Sequence, residues 1–355
     1  HFQFSSGTNR CSQCHFAPAG GGLLSEWGRV ESADTLSRGG NGDFLHGLVS
    51  LPDSLQLGGD VRLAALVNDV GASEGAEYAL FPMQLDASAR LRRGKWSVVA
   101  TIGHRGSVRE ADLQDGSLRS EAGLVNALIS REHYISWRPK RRGPYVRAGR
   151  FYAPFGLRLP DHTSFVRRHL GFNLLEETYG ISAGFVKRQT ELHVTAFISD
   201  RLRWSPRNEF GGVAMMEWRR EKLAYGLSSR VVAGEGDVRV IGGGFAKLWS
   251  PGIDVLWMAE LDGAWQRFGD AASRRWQAAG YAGPVWFPTK GLSVAAAYEF
   301  YDQDVIAKHV ERHGLTMWVS FLPRAHFEIM LSGRAQLVGS SDQAMLGLLQ
   351  LHYYP

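Results

Sequence analysis

Apolar and polar residues alternate with a period of two along most of the chain from Leu55 onward. The stretches 55–68, 255–266, 292–300 and 327–337 carry apolar residues at every second position. Successive side chains of a β-strand point to opposite faces, so each stretch predicts a strand with one apolar and one polar face. The whole pattern predicts about sixteen strands, with centres near residues 61, 87, 100, 130, 148, 182, 194, 214, 228, 243, 260, 281, 297, 318, 332 and 349.

The connections between these segments alternate in length. Every other connection is short and often basic: 92–95, 138–143, 187–189, 219–222, 250–252, 288–291 and 323–324. Those between them are mostly longer: 105–122, 153–178, 200–209, 268–274 and 302–313. Short turns at one end and long loops at the other are typical of outer-membrane barrels, and both termini fall at the short-turn end.

Five tryptophans each stand beside a short turn, namely Trp96, Trp137, Trp218, Trp249 and Trp286. Together they predict an aromatic girdle at one membrane interface. The three patterns predict an all-β fold, an antiparallel outer-membrane β-barrel of about sixteen strands. A soluble all-β protein with several sheets is the alternative.

Composition excludes two further classes. Hydrophobic residues make up 44% of the chain and no stretch approaches the roughly 18 apolar residues of a membrane helix, so a helical membrane protein is excluded. A barrel is compatible with the mean hydropathy of −0.19, because its strands alternate. The formal charge of +5 comes without a long basic run, so we expect no nucleic-acid partner.

The sequence Cys11-Ser12-Gln13-Cys14-His15 contains both cysteines of the protein. Two thiols at this spacing can each add to a vinyl group of haem, and the adjacent histidine then binds the iron. This is the attachment signature of c-type haem. It predicts one covalent haem c held by Cys11, Cys14 and His15.

Three other interpretations explain the two cysteines less well. A disulfide would not need His15. A zinc site needs about four ligands, and the chain has no second cysteine pair. A thioredoxin-like pair belongs to a βαβ pattern, which the sequence lacks. The chain starts at His1 without Met, so we expect a mature, exported protein whose leader has been removed, which agrees with haem attachment outside the bacterial cytoplasm.

Residues 1–54 are rich in Gly, Ser and Leu without a convincing long helix, and we expect a small monohaem cytochrome c segment linked by flexible turns. Residues 55–355 then form the porin-like transmembrane barrel. Apolar pieces at 23–27 and 44–48 are candidate covers for a haem face. For the second axial position of the iron we rank His46 first, because a Gly-rich turn precedes it, then His1 and Met83.

The opening of the chain resembles the fused monohaem cytochrome–porins of iron-oxidising bacteria. In that family, aromatic residues precede a Thr-Gly-x-x-Cys-x-x-Cys-His core, and a Pro, a Leu and a Gly-Arg follow it. The matching residues are Phe2, Phe4, the core 7–15 with Gly7 and Thr8 in reversed order, Pro18, Leu23 or Leu24, and Gly28-Arg29. The motif covers about the first thirty residues, whereas the order of cytochrome then barrel covers the whole chain.

The resemblance implies a bacterial outer-membrane protein in contact with lipid, with its N-terminus and short turns in the periplasm. It implies electron transfer between an extracellular donor, Fe(II), and a periplasmic c-type cytochrome. The protein would then be an iron:cytochrome c oxidoreductase, and otherwise an electron carrier. Two alternatives stay open. One is the barrel of a larger conduit with a separate multihaem cytochrome. The other is an anion porin with an accessory haem, because residues 148–158 resemble a strand and loop sequence of some porins.

Two sets of charged residues are candidates for accessory roles. Inward-facing cations could bind haem propionates or simply line a polar pore: Arg62, Arg150, Arg239, Lys247 and Arg334, balanced by Asp60, Glu260, Asp262 and Glu328. Acids of the long connections could collect Fe(II), which accepts carboxylates, or only keep outer loops soluble. They are Glu110, Asp112, Asp115, Glu176, Glu177, Asp302 and Asp304.

Overall fold

A computed structural model describes most of the chain. The described residues are 2–5, 10–18, 20–69, 76–104, 128–161, 163–172, 176–198, 209–234, 236–269, 273–308, 310–339 and 342–355. His1, and with it one candidate iron ligand, lies outside them, as do the acids at 110, 112 and 115. Within these ranges, no helix combines the length and the apolar character that a membrane crossing requires.

The described part of the chain contains sixteen strands. They are β1 (Leu55–Asp69), β2 (Glu77–Arg93), β3 (Trp96–His104), β4 (Leu128–Trp137), β5 (Gly143–Phe151), β6 (Thr178–Val186), β7 (Thr190–Ile198), β8 (Phe210–Arg219), β9 (Leu223–Gly234), β10 (Asp237–Ser250), β11 (Val255–Phe268), β12 (Arg274–Thr289), β13 (Leu292–Asp302), β14 (Glu311–Arg324), β15 (Phe327–Val338) and β16 (Asp342–Tyr353). Each centre expected from the alternating pattern falls inside one of them.

The strands form a closed antiparallel barrel in which sequence neighbours are also hydrogen-bonded neighbours. β1 closes the cylinder by pairing with β16, from Val61 opposite Tyr353 to Asp69 opposite Met345. Closure leaves no free sheet edge, which is what allows strands to span a membrane. The fold class expected from the sequence is therefore confirmed.

The two faces of the wall differ as the period-two pattern requires. Outward positions carry exposed apolar side chains, such as Leu63, Ile102 and Leu261. Inward positions carry buried charged groups, such as Arg150 and Glu299. An apolar exterior with a polar interior is the arrangement of a barrel built for a bilayer.

Four of the five girdle tryptophans lie outside as expected. Trp96 and Trp286 are exposed, Trp137 is directly opposite Trp96, and Trp218 alternates with inward, buried neighbours. Trp249 was expected in the same girdle, but this is wrong. It shares the inward face of β10, and its ring lies 6.0 Å from that of Phe287 inside the barrel.

The connection between β5 and β6, residues 152–177, folds into the barrel over its described residues, 152–161, 163–172 and 176–177. We call it the lumenal loop. Phe155, Leu157, Phe165 and Leu170 are buried in one apolar cluster with inward residues of β7 to β13. The sequence pattern predicts an outer loop at residues 153–178, and this is wrong. The correction has a simple reason, because apolar side chains recur at alternate positions there and are buried only if the loop turns inward.

Wall carboxylates hold the backbone of this loop. The amide of Leu157 donates to Glu260 at 2.8 Å, and the amide of Phe165 donates to Glu299 at 2.6 Å. In the other direction, Arg230 donates to the carbonyl of Gly171 at 2.7 Å. A loop segment without a sheet ladder of its own thus obtains backbone partners from inward side chains.

The N-terminal residues contain short helices rather than flexible turns alone. Helix α1 spans Cys11–Cys14, and helix α2 spans Glu26–Glu31 and continues as a π-helical turn over Ser32–Leu36. A 3-10 turn follows at Phe44–Gly47. Of the expected apolar cover, Leu23 is buried, whereas Trp27 and Leu48 are exposed.

The inward course of the lumenal loop predicts a difference in thiol reactivity. In the folded protein in detergent, Lys308→Cys should react readily with a polyethylene-glycol maleimide, because residue 308 is exposed. Phe165→Cys should react roughly tenfold or more slowly, because residue 165 is 1% exposed and reaction needs local opening. Peptide mass spectrometry locates the label, and the denatured proteins provide the control. Equal rates in the folded state would contradict the inward course.

Candidate haem site

The Cys11–His15 motif forms one helical turn. The amide of His15 donates to the carbonyl of Cys11 at 3.0 Å, which closes the turn of α1. Residues three apart lie on the same side of a helix, so the side chains of Cys11 and Cys14 share one face. The two cysteines are not joined in a disulfide, and both are partly exposed. The turn therefore presents both sulfur atoms and the adjacent imidazole from one short element.

The His15 ring is oriented by the backbone. Its Nδ1 lies 3.2 Å from the carbonyl oxygen of Gly22, which can only accept, so Nδ1 carries the proton. This leaves Nε2 with a free lone pair, as is usual for a histidine that ligates a metal through one nitrogen and donates through the other. Burial lowers the pKa of His15 to about 4, so the ring is neutral near pH 7.

Two glycines allow the chain to pack closely against the motif. A Cβ on Gly20 would lie 2.6 Å from the Cβ of Cys11, and Gly20 has a φ of +83° that disfavours other residues. A Cβ on Gly28 would overlap the carbonyl oxygen of Cys14. Ser25 caps α2 by accepting from the amide of Gly28, and its hydroxyl donates to the carbonyl of Gln13 at 2.5 Å. Helix α2 is thus fastened directly to α1.

Arg29, the residue after Gly28, ties the same helix to the wall. Its guanidinium donates to the carbonyl of Leu57 in β1 and lies 5.6 Å from the centre of the Phe44 ring. The Gly28-Arg29 pair, noted in the sequence only as part of a family pattern, thereby has a structural role. It connects the motif to the first strand.

The N-terminal segment, residues 2–54, lies in its described part at the short-turn mouth of the barrel and contacts strands on opposite sides of the wall. Gln3 accepts from Lys247 of β10 at 2.8 Å, and the ring of Phe16 lies 4.0 Å below the Arg90 guanidinium of β2. On the far side, the amide of Arg38 donates to Leu322 of β14 at 3.0 Å. The motif therefore lies within the mouth of the barrel rather than on a distant tether.

Arg158 of the lumenal loop is the site residue that the sequence analysis missed. Its guanidinium donates to the carbonyl of Gly20 and lies 2.8 Å from where a Cβ of Gly21 would stand. The side chain is exposed, and because its neighbours are inside the barrel, the exposed surface faces the lumen. Only the inward turn of the lumenal loop brings this cation beside Cys11, and the sequence does not show which residues that turn approaches.

The five cations considered as partners of the haem propionates lie on the inward face of the wall, as expected, but each of them forms an ion pair with a carboxylate. Arg150 pairs with Glu177 at 3.1 Å, Lys247 with Glu217 at 2.9 Å, and Arg62 with Asp60 at 3.5 Å. Arg239 pairs with Glu209, and Arg334 pairs with Glu299. These contacts assign them to the polar packing of the wall, whereas Arg158 lies beside the motif.

The two described candidates for the second iron ligand contact residues other than His15. His46 packs against His326 and Tyr353, with ring centres 5.2 and 6.1 Å apart, and its Nδ1 lies 3.3 Å from the carbonyl of Asn41. Met83 lies within β2 at a bulge in its pairing with β1. His1 is outside the described residues. The ranking of these three ligands stays a prediction.

The acids expected to collect Fe(II) are only partly consistent with that role. Asp304 is partly exposed, which is compatible with collection from outside, but Glu177 is 1% exposed and pairs with Arg131 and Arg150. In the described ranges, no three His, Cys, Asp or Glu side chains are grouped as a metal site. Glu177 therefore belongs to the base of the lumenal loop and not to an outer acidic surface.

Comparison with known proteins identifies the fold. No family model matches the sequence, and no curated protein matches it. Among solved structures, OmpT, an outer-membrane protein of Vibrio cholerae, is 7% identical and has a TM-score of 0.63 over 86% of this chain and 100% of that chain. The anion-selective porin from Comamonas acidovorans is 11% identical, with a TM-score of 0.61 over 85% and 99% of the two chains.

A third example is the outer-membrane channel DcaP of Acinetobacter baumannii, which is 13% identical with a TM-score of 0.58 over 85% and 97% of the two chains. At such identities the likeness concerns the fold alone. The resemblance of the first thirty residues to the cytochrome–porins stays a prediction. The chain has the fold of the outer-membrane porins.

Proposed function

We propose that the protein is an outer-membrane electron-transfer protein that carries one covalent c-type haem in the short-turn mouth of its barrel. The observation that carries the proposal is the geometry of Cys11, Cys14 and His15. Both thiols share one helical face, and the Gly22 carbonyl fixes the His15 tautomer that leaves Nε2 free. A structural disulfide or a buried pair of inert thiols would not require an oriented histidine beside them.

The residues present fit the group. Cys11 and Cys14 would hold the porphyrin by thioether bonds, and His15 Nε2 would ligate the iron. Arg158, beside Gly20, is the cation placed to bind a propionate. Bound haem would supply reversible one-electron transfer. Helix α2 and the barrel wall would restrict the access of water to this part of the mouth.

The position of the motif indicates from which side of the membrane each redox partner would approach. The short-turn end faces the periplasm in outer-membrane barrels, so a periplasmic c-type cytochrome would meet the protein there. An extracellular donor such as Fe(II) would have to act from the long-loop end, and the protein would then be an iron:cytochrome c oxidoreductase. The lumenal loop joins the two ends, because Arg158 contacts Gly20 while Glu260 and Glu299 fasten the loop to the wall.

Two alternatives make different use of the lumen. A sheath for a separate multihaem cytochrome needs an open lumen, whereas here the chain's own loop packs inside it. An anion porin with an accessory haem is favoured by the likeness to an anion-selective porin. It needs inward cations that are available to anions, and Arg150, Lys247 and Arg334 are paired with carboxylates.

The first prediction concerns covalent haem. Protein purified from a host that matures c-type cytochromes should keep haem-dependent peroxidase staining on a denaturing gel. Cys14→Ala should lose most of the stain, because one of the two thioether bonds is gone. Ser12→Ala, within the same turn, is the control and should keep it. Full iron content with freely extractable haem would refute covalent attachment.

The second prediction uses the close packing of α2 on the motif. Gly28→Ala should lower haem incorporation and destabilise the segment by about 1–3 kcal/mol, since the added methyl overlaps the Cys14 backbone. Gly39→Ala is the matched control, because a Cβ there meets nothing within 4 Å. Haem per protein and the thermal midpoint of the haem absorbance are measured for both. Equal behaviour of the two variants would show that this packing does not support the site.

The third prediction separates a conduit from a porin. In planar bilayers the full-length protein should show low conductance, because the N-terminal segment and the lumenal loop occupy the barrel. A variant lacking residues 2–54 should conduct several-fold more, provided that it keeps the heat-modifiable gel migration of a folded barrel. Large, anion-selective steps from the full-length protein would favour the porin alternative.

A further inference from the structure

The short connections on one side of the barrel carry a concentrated positive charge. Ten exposed cations lie at the four connections from β2–β3 to β8–β9, together with one exposed acid, Glu221. We call these cations the basic crescent: Arg92, Arg93, Lys95, Lys140, Arg141, Arg142, Lys187, Arg188, Arg220 and Lys222. Since all four connections are fully described, this charge is a property of the folded rim.

The rest of the same rim lacks this concentration. The β10–β11 connection carries exposed Asp254 and no cation, and the remaining two short connections contribute Lys290 and Arg324. On the β2 side the N-terminal segment adds an exposed acid, Asp53, next to Ser54, whose carbonyl accepts from the amide of Arg92. The positive potential is therefore centred on the connections from β4–β5 to β8–β9.

The proposed haem motif lies against this side of the mouth. Arg10, directly before Cys11, approaches Glu191 at 4.0 Å, just beyond the β6–β7 connection. Arg219, at the end of β8, approaches the same carboxylate at 3.5 Å. Later parts of the N-terminal segment cross to β14 and to the β14–β15 connection. The basic crescent thus borders the part of the rim where Cys11 and Cys14 are held.

Membrane lipid is a weaker explanation for the cations. Lipid surrounds a barrel on every side, so anchoring to anionic headgroups would place cations at all the short connections. Here they are concentrated on four neighbouring connections out of seven. The tip of the β4–β5 connection, Lys140 to Arg142, also lies beyond the outward Trp137 that marks the membrane interface.

We propose that the basic crescent is a docking surface for a soluble protein with an acidic face. That this partner is a redox protein rests on the proposed function. Opposite charges on two surfaces steer their encounter and orient it. An acidic face seated on the crescent places the partner's redox centre beside the Cys11–His15 turn, on the side where the motif is held.

Charge reversal at the β4–β5 tip tests the surface directly. The variant K140E/R141E/R142E changes three exposed side chains that have no part in the haem site. The variant R267E/R274E/K308E changes the same charge at exposed positions of the long-loop end and is the matched control. The probes are plant-type ferredoxin, which is acidic, and mitochondrial cytochrome c, which is basic.

Binding is measured first, on protein in neutral detergent, and does not require haem. Ferredoxin should bind, and its affinity should fall steeply between 0.01 and 0.1 M salt, over which the Debye length shortens from about 30 to about 10 Å. The β4–β5 variant should weaken this affinity about tenfold, as expected for electrostatic steering and docking. The control variant should match the wild type, and cytochrome c should not bind.

Electron transfer is measured second, on ascorbate-reduced holoprotein with two small oxidants. Ferricyanide is an anion and tris(phenanthroline)cobalt(III) is a cation, so they report the local potential at the haem with opposite sign. The β4–β5 variant should lower the ferricyanide rate about tenfold and raise the cobalt rate. Unchanged rates for both oxidants would overturn the placement of the crescent beside the redox centre.

The two measurements distinguish a failure of the proposed function from a failure of the docking surface. Protein without covalent haem would refute the proposed function, and the ferredoxin affinities would still decide the surface. Ferredoxin affinity that is the same in both variants would overturn the inference. If the β4–β5 variant instead loses only retained phosphatidylglycerol, the crescent is a lipid contact and the inference is wrong.

Discussion

Closure of the sheet is the constraint on which the rest of the structure depends. The ladder between β1 and β16 completes a cylinder in which every strand is paired on both sides. A sixteen-strand cylinder encloses a lumen too wide for side chains of opposite walls to fill. Some of the charges that alternation directs inward pair with each other along the wall, as Lys247 does with Glu217. Others take partners from the lumenal loop and the N-terminal segment, which lie inside the barrel.

Hydrogen bonds between the barrel wall and the segments inside it are donated from both sides. Glu260 and Glu299 accept the backbone amides of Leu157 and Phe165, while Arg230 donates to the carbonyl of Gly171. A buried charge without a partner costs several kcal/mol, so neither the wall nor the loop can lose its counterpart cheaply. Lys247 makes the same kind of link to the N-terminal segment through Gln3. The proposed haem turn is therefore fixed by contacts with the barrel, although it is remote from the first strand in sequence.

The features that sequence reasoning predicted are those that depend on local periodicity. Alternation places each side chain on one face of the wall, so strand positions, the closed fold and the inward charges could be read from the pattern. Trp249 shows the limit of this reasoning. Its nearness to a turn suggested a place in the aromatic girdle, but it occupies one of the alternate positions of β10 that face inward. The alternating apolar positions at 153–159 fit burial, but they do not show against which strands the loop packs, and the role of Arg158 follows only from that packing. The loop packs against seven strands that follow later in the chain, and no local pattern encodes such contacts.

The N-terminal segment occupies the short-turn mouth of the barrel and carries the proposed haem motif. Its close packing makes these two properties interdependent. Because Gly20 and Gly28 lack a side chain, the backbone can pack closely against Cys11 and Cys14. Arg29, next to Gly28, then links this packing to β1 through its hydrogen bond to Leu57. Because the segment contacts strands on opposite sides of the wall, the proposed redox centre has a fixed position relative to the rim. A charged rim can bring a partner's redox centre close to the haem site only if that site has a fixed position relative to the charges. If the site were on a mobile tether, orienting the partner on the rim would not fix the distance between the two centres.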